Sequence, residues 1–300
     1  IVDCTNRGLT SISSEQFPEN TTVLYLDQNN LQEIPSSSFS HLMSLRHLSI
    51  SNNQIKTLET DSFGGLQNLR YLGLEMNDLK YTYESLPENI FTPLENLEEL
   101  RLLQDKPFEK GGYPDNFLGS LRRLQTLTID TVGDTLNFGH EFTNLTRLRS
   151  LTITGNALYI NANSFENVAA IKELNVFYLS QIIHVSINAF QPLVNLESLT
   201  LSYMEIGLNN TLSLLHPFVG RNMTKILLDK IGLSVSQQDK TIISHDGSLT
   251  AHNTKHLMGI CVKSFTLIDS NIYVVESSAF ENSTLWDSCL ESIDLSYNPL

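Results

Sequence analysis

The side chains best placed to do chemistry are a group of histidines, three cysteines and a set of Asn-x-Ser/Thr triplets. His140-Glu141 opens like a zinc-protease helix, but the second His that would complete a two-imidazole metal site is missing. No Gly-x-Ser-x-Gly elbow and no phosphate-cradling glycine loop occurs. His245, His252 and His256 share one long insertion. They would charge together below about pH 6.5, a pH-sensing or metal-binding arrangement to set against the commoner role of solvated loop histidines. No catalytic residue, cofactor or metal site is expected, and the chain reads as a binding protein rather than an enzyme.

What positions these groups is a repeat. The pattern L-x-x-L-x-L-x-x-N-x-L is clearest at Leu45, Leu48, Ile50, Asn53, Ile55; at Leu69, Leu72, Leu74, Asn77, Leu79; at Leu148, Leu151, Ile153, Asn156, Leu158; and at Leu290, Ile293, Leu295, Asn298, Leu300. Weaker copies begin near Thr21, Leu97, Leu124, Ile171, Leu196, Met223 and Val262, which makes about eleven units, mostly about 23–28 residues apart. Alternate strand positions point to opposite faces, so the leucines fill a core while their neighbours face out. Each Asn amide can bond turn backbone that would otherwise be buried unpaired. A second series, Phe17, Phe39, Phe63, Phe91, Phe117, Phe142, Phe165, Phe190, Phe218 and Phe280, keeps step late in each unit and predicts a spine of rings. Two residue types held in phase specify an α/β leucine-rich-repeat solenoid: a curved horseshoe with a parallel β-sheet on its concave face and loops or short helices on the convex one. Residues 1–20 read as the remnant of a cysteine-containing cap, and residues 21–300 as a single solenoid that continues beyond Leu300.

Departures from the pattern mark its distinctive parts. Asp105, Val132, Leu179, Met204, Ile231 and Ser270 stand where the ladder Asn is expected, so the later turns should be less uniform. One unit carries the extra stretch from Lys106 to Pro114, and another runs about 39 residues from Met223 to Val262. Such insertions emerge as loops, either on a binding face or as tolerated surface additions. Cys261 and Cys289 directly precede the first core position of consecutive repeats. Equivalent positions on neighbouring strands lie about 5 Å apart, which allows either a disulfide or two stacked thiols. Cys4 is left over, and an odd cysteine in a secreted chain implies a missing partner or a free thiol.

The surface carries two further signals. Sequons stand at Asn20, Asn144, Asn209, Asn222 and Asn282, and none is expected at an outward strand position. Outward positions are mostly small or polar, as in Ser150, Thr152 and Thr154, or Thr126, Thr128 and Asp130. Phe177, Tyr178, Tyr203 and Leu227 are the exception. Exposed aromatics on adjacent strands make good ligand contacts because they bury much area with little loss of rotamer freedom, so these four are the candidate ligand-binding residues.

A formal net charge of −14 repels nucleic acid and anionic membranes, and neither is an expected partner. No apolar run reaches the roughly 18 residues that span a bilayer. The N-terminus shows no charged-then-apolar signal segment, so it reads as processed or trimmed.

A cap-like stretch from Ile1 to Ile12 with Cys4, Phe-spined repeats of uneven length, a polar ladder that fades centrally and the copy from Leu290 to Leu300 resemble a Toll or Toll-like receptor ectodomain. The resemblance implies that Cys4 pairs with a cysteine further upstream. It also implies an innate-immune or developmental receptor on the extracellular side of the plasma membrane. Such a receptor binds a microbial or protein ligand, forms a homo- or heterodimer, and signals through a single transmembrane segment and a downstream TIR domain. In related receptors, loss of the ladder accompanies changed curvature, which directs attention to the stretch between Leu179 and Ser270. The alternative is an adhesion, matrix or guidance protein that binds another protein without TIR signalling.

Overall fold

The computed structural model describes residues 1–104, 113–114, 117–179, 181–204, 206–232, 247–281 and 284–300. Within them the chain forms two compact units, Ile1–Gly133 with Asn137–Gly155, and Asp134–Leu136 with Asn156–Leu300.

The first unit is built on parallel strands β1 (Val2–Asp3), β2 (Val23–Tyr25), β3 (His47–Ser49), β4 (Tyr71–Gly73), β5 (Glu99–Arg101), β6 (Thr126–Thr131) and β7 (Ser150–Gly155), neighbours in that order. Strands in the same phase of successive repeats pair without slippage, because a one-residue shift would turn every leucine outward. Leu24, Leu48, Leu72, Leu100, Leu127 and Leu151 therefore form one register row, each 0% exposed. Burying each such side chain is worth roughly 1.5–3 kcal/mol. The second unit repeats the plan with β8 (Glu173–Phe177), β9 (Ser198–Ser202), β10 (Asn222–Asp229), β11 (Cys261–Ile268) and β12 (Ser292–Asp294). There Leu174, Leu199, Ile226 and Phe265 share a buried row. The return paths carry two-residue parallel pairs, such as Tyr159–Ile160 with His184–Val185, and short helices α1 (Leu208–Ser213), α2 (Ala251–Thr254) and α3 (Thr284–Cys289).

The asparagine ladder is present early in the chain. Asn53 Nδ2 donates to the carbonyls of Leu26 at 3.0 Å and Ile50 at 3.1 Å, and its Oδ1 accepts from Leu31 N–H. Asn29 and Asn77 do the same one repeat to either side. The ladder then continues through residues the template does not name. Buried Gln104 donates to the Leu74 and Leu102 carbonyls and accepts from Asn77 N–H, its longer amide reaching the ladder from one position earlier than Asp105, which lies outside the described residues. Asp130, expected to face outward, is 2% exposed. It accepts from Gln104 N–H at 2.8 Å and from Tyr81 Oη at 3.2 Å. Asn156 departs in the opposite sense. It is exposed, and Ala157 is buried beside it, after β7 ends at Gly155 with a φ of 127°. In the second unit Leu179, Met204 and Ile231 are fully buried in place of ladder amides, and polar bonding resumes at Ser270 and Asn298.

The phenylalanine series packs as expected from Phe17 to Phe218, all buried. Phe63 stacks on Phe91 at 5.9 Å and Phe190 on Phe218 at 6.1 Å, while Phe165 meets Phe190 at a 48° tilt with centroids 5.6 Å apart. Phe280 is only half-buried and stacks on Trp286, which also closes edge-on against Phe265.

Candidate functional site

One feature repeats at the end of the sheet strands. The residue just before the ladder position takes a left-handed backbone: Gln28, Asn52 and Met76 in the first unit, and Tyr178, Tyr203, Lys230, Asp269 and Tyr297 in the second, with φ from 46° to 60°. The conformation costs a non-glycine residue roughly 1–3 kcal/mol and persists only where surrounding bonds hold it. Here the N–H is given to the next repeat: Tyr178 to Ser202 O, Tyr203 to Asp229 O and Lys230 to Ile268 O, at 3.0–3.2 Å. Because the same turn recurs, it aligns the side chains of this row along the end of the strands.

In the second unit that row becomes a composite surface. The Tyr178 and Tyr203 rings stack with centroids 4.4 Å apart and planes 26° from parallel, with Tyr178 58% exposed. Lys230 Nζ donates to Tyr203 Oη at 2.7 Å and lies 4.5 Å from the centre of the same ring. It also approaches Asp269 Oδ2 at 3.4 Å. The Tyr203 hydroxyl, and then Asp269, hold the Lys230 ammonium above its usual pKa. The result is a preorganised strip of two flat π-faces followed by a cation and an anion, which can receive planar or charged groups of a ligand with little further ordering.

The four residues expected to form one outward face fall on three rows. Tyr178 and Tyr203 lie just past their strands, in the turn row. Phe177, half-buried, ends β8 in the row of Ser202 and Asp229. Leu227 lies inside β10, in register with Thr200 and Thr266, two residues away from that row. The expectation placed them by strand alternation and took no account of where each strand ends. Lys230 and Asp269 were missed, although counting back one position from Ile231 and Ser270 finds both.

Cys261, at the start of β11, and Cys289, at the end of α3, form a disulfide with Cα atoms 5.3 Å apart, although the second cysteine lies on a helix and not a strand. Cys4 is unpaired and half-buried. Of the sequons, Asn20, Asn144 and Asn209 are exposed and off the sheet, and Asn209 accepts a hydrogen bond from Asn253. Asn222 corrects the expectation: it is exposed but is the first residue of β10, which extends three residues ahead of Lys225 and pairs there with Cys261. Asn282, His245 and most of the Lys106–Pro114 stretch lie outside the described residues. His252 is exposed, and His256 meets His216 edge-on at 5.1 Å, its pKa lowered first by burial.

Comparison with known proteins agrees with this architecture. The Leucine rich repeat family matches residues 19–79, and the BspA type Leucine rich repeat region matches residues 117–216. A stretch of 51 residues is 41% identical to Leucine-rich repeat-containing protein 3 of Rattus norvegicus, covering 17% of this chain and 20% of that protein. Among solved structures, the chain is similar to TLR13 in a complex with ssRNA13, at a TM-score of 0.54 and 22% identity over 96% of its length. It is also similar to the Toll–Spatzle complex, described as a molecular hub in Drosophila development and innate immunity, at a TM-score of 0.61 and 17% identity over 96%. The chain spans 38% and 35% of those two chains. At such identities the likeness is one of fold. One of these neighbours was solved with RNA, so the expectation that excludes nucleic acid as a partner finds no support in the comparison. No helix among the described residues is long and apolar enough to cross a membrane.

Proposed function

Starting from an α/β leucine-rich-repeat solenoid whose solved neighbours include Toll-type ectodomains, we propose that this chain is the ligand-recognition part of an extracellular Toll-like receptor. In this reading residues 21–300 act as one solenoid of about eleven repeats behind a cap remnant at residues 1–20. Ligand meets the turn row of the second unit, with Tyr178 and Tyr203 as the anchors, Lys230 and Asp269 as the charged end, and Phe177 and Leu227 as flanking contacts. Ligand binding joins two receptors, and a TIR domain beyond a single membrane span signals in innate immunity. Asn20, Asn144, Asn209, Asn222 and Asn282 carry sugars in this reading.

The observation that carries this reading is the stack of exposed Tyr178 on half-buried Tyr203, with Lys230 bonded to the Tyr203 hydroxyl. Aromatic and cationic side chains already ordered at the surface are what a binding hot spot requires. Sequencing the transcript 3′ of the Leu300 codon tests the receptor half of the reading. A membrane span followed by a TIR-type α/β domain is expected. Immunoglobulin or fibronectin modules would overturn it in favour of an adhesion protein.

A further inference from the structure

A second cluster lies on the sheet of the first unit. His47 stacks on Tyr71 at 4.1 Å with planes 7° apart, and Tyr25 meets His47 edge-on at 5.1 Å. Arg101 lies 5.7 Å from the centre of the Tyr71 ring, bonds Glu99 at 2.7 Å and reaches Glu75 only at 3.9 Å. Gly73 gives the Tyr71 phenol room. A Cβ there would lie 3.0 Å from Tyr71 Oη and 3.2 Å from both Ser49 Oγ and Ser51 Oγ, so a larger residue would push the phenol or the two hydroxyls aside by a few tenths of an ångström.

Two residues beyond the ends of β2, β3 and β4, Asp27, Ser51 and Glu75 continue the register of Tyr25, Ser49 and Gly73. Strand spacing sets the Asp27 and Glu75 backbones about 10 Å apart with Ser51 between them. Ser51 is 8% exposed, and its Oγ has no hydrogen-bond partner among the described residues. Its N–H donates to Asp27 Oδ1 at 2.7 Å, an oxygen that also accepts from Ser49 Oγ at 2.6 Å. Glu75 and Glu99 thus flank one guanidinium, which Glu99 has largely claimed, and Asp27, two strands from Glu75, adds a further carboxylate with no cation beside it among the described residues. Burial pushes the Glu75 carboxyl above its usual pKa, as for a carboxylate short of cation.

We propose that Asp27, Ser51 and Glu75, walled by His47 and Tyr71, form a docking site for a guanidinium or ammonium group on a basic segment of a protein partner. Arg101 shows how the cluster receives such a group, over an aromatic face and against carboxylates. A second cation would pair with Asp27 and Glu75, donate to the buried Ser51 hydroxyl and use the remaining aromatic surface. The excess of negative charge across the chain would speed its approach.

The test titrates the 300-residue chain with an end-capped tetra-arginine peptide and with its uncharged citrulline counterpart, at low and moderate salt. The arginine peptide should bind at least tenfold more tightly than the citrulline one. Asp27→Asn with Glu75→Gln should lose at least tenfold, whereas Glu276→Gln with Glu281→Gln, an equal charge change in the second unit, should lose less than twofold. Ser51→Ala and Glu75→Gln, which leave the Asp27 bonds in place, should each weaken binding threefold or more without lowering the Tm. No binding by the parent chain, equal losses in the two double variants, or unchanged affinity in Ser51→Ala and Glu75→Gln would overturn the site.

Discussion

Tyr178 and Tyr203 stack at 4.4 Å because each occupies the left-handed residue of the same turn in successive repeats, with φ of 56° in both. Their alignment belongs to the repeat, and their chemistry belongs to the residues placed on it. In the first unit the same backbone carries Gln28, Asn52 and Met76. The binding strip therefore needs no special loop. It uses a position whose geometry recurs at Tyr178, Tyr203, Lys230, Asp269 and Tyr297.

Removing a ladder amide should be costly where it is buried and harmless where it is not. Asn53→Ala deletes bonds to Leu26, Ile50 and Leu31 and should destabilise the chain by about 1–3 kcal/mol. Asn156→Ala, at an exposed position, should stay within about 0.5 kcal/mol. Urea melts of the two variants check the contrast, and equal losses would mean that the two sites had been wrongly distinguished.

Alkali should weaken the fold before it denatures it outright. Burial raises the Tyr71 phenol to about 12 and puts Tyr81 and Tyr113 well above their ordinary value of 10. These phenols keep their protons in the folded chain above pH 10, where the unfolded chain gives them up. The unfolded state then binds fewer protons, so stability falls as pH rises from 10 towards 12. Absorbance titration at 295 nm should show Tyr71 ionising near 12 and Tyr81 and Tyr113 ionising only with unfolding. A single transition of all ten tyrosines near 10 would contradict this.

The Cys261–Cys289 bridge closes a loop across a sequence separation of 28. Replacing both cysteines with Ser should lower stability by about 3 kcal/mol, chiefly by freeing the unfolded chain. Intact mass under denaturing conditions, with and without reductant and alkylation, should show two extra modified thiols only after reduction.

Much of this was legible in the chain, and the failures have physical causes. The register rows from Leu24 to Leu151 follow from apolar periodicity alone, since no other phase buries those side chains. Gln104 and Asp130 were not legible as ladder members, because a longer amide or a carboxylate can serve the same backbone groups from a shifted position. Asn156 matches the template letter for letter, yet β7 runs on to Gly155 and carries the amide out to solvent. Tyr178 and Tyr203 stood out by type. Lys230 and Asp269 did not, since charged residues after a strand are common and only register shows that they share a row.

Ligand recognition by the turn row of the second unit is best tested by affinity. The parent chain and Tyr178→Ser with Tyr203→Ser are to be titrated against a panel of single-stranded RNA, bacterial lipopeptide, peptidoglycan fragments and secreted proteins. The account predicts that whatever the parent binds, the variant binds at least tenfold more weakly, with a Tm within about 3 °C, a shift that stays near 1 kcal/mol for a chain of this size. Undiminished affinity in a folded variant would contradict it.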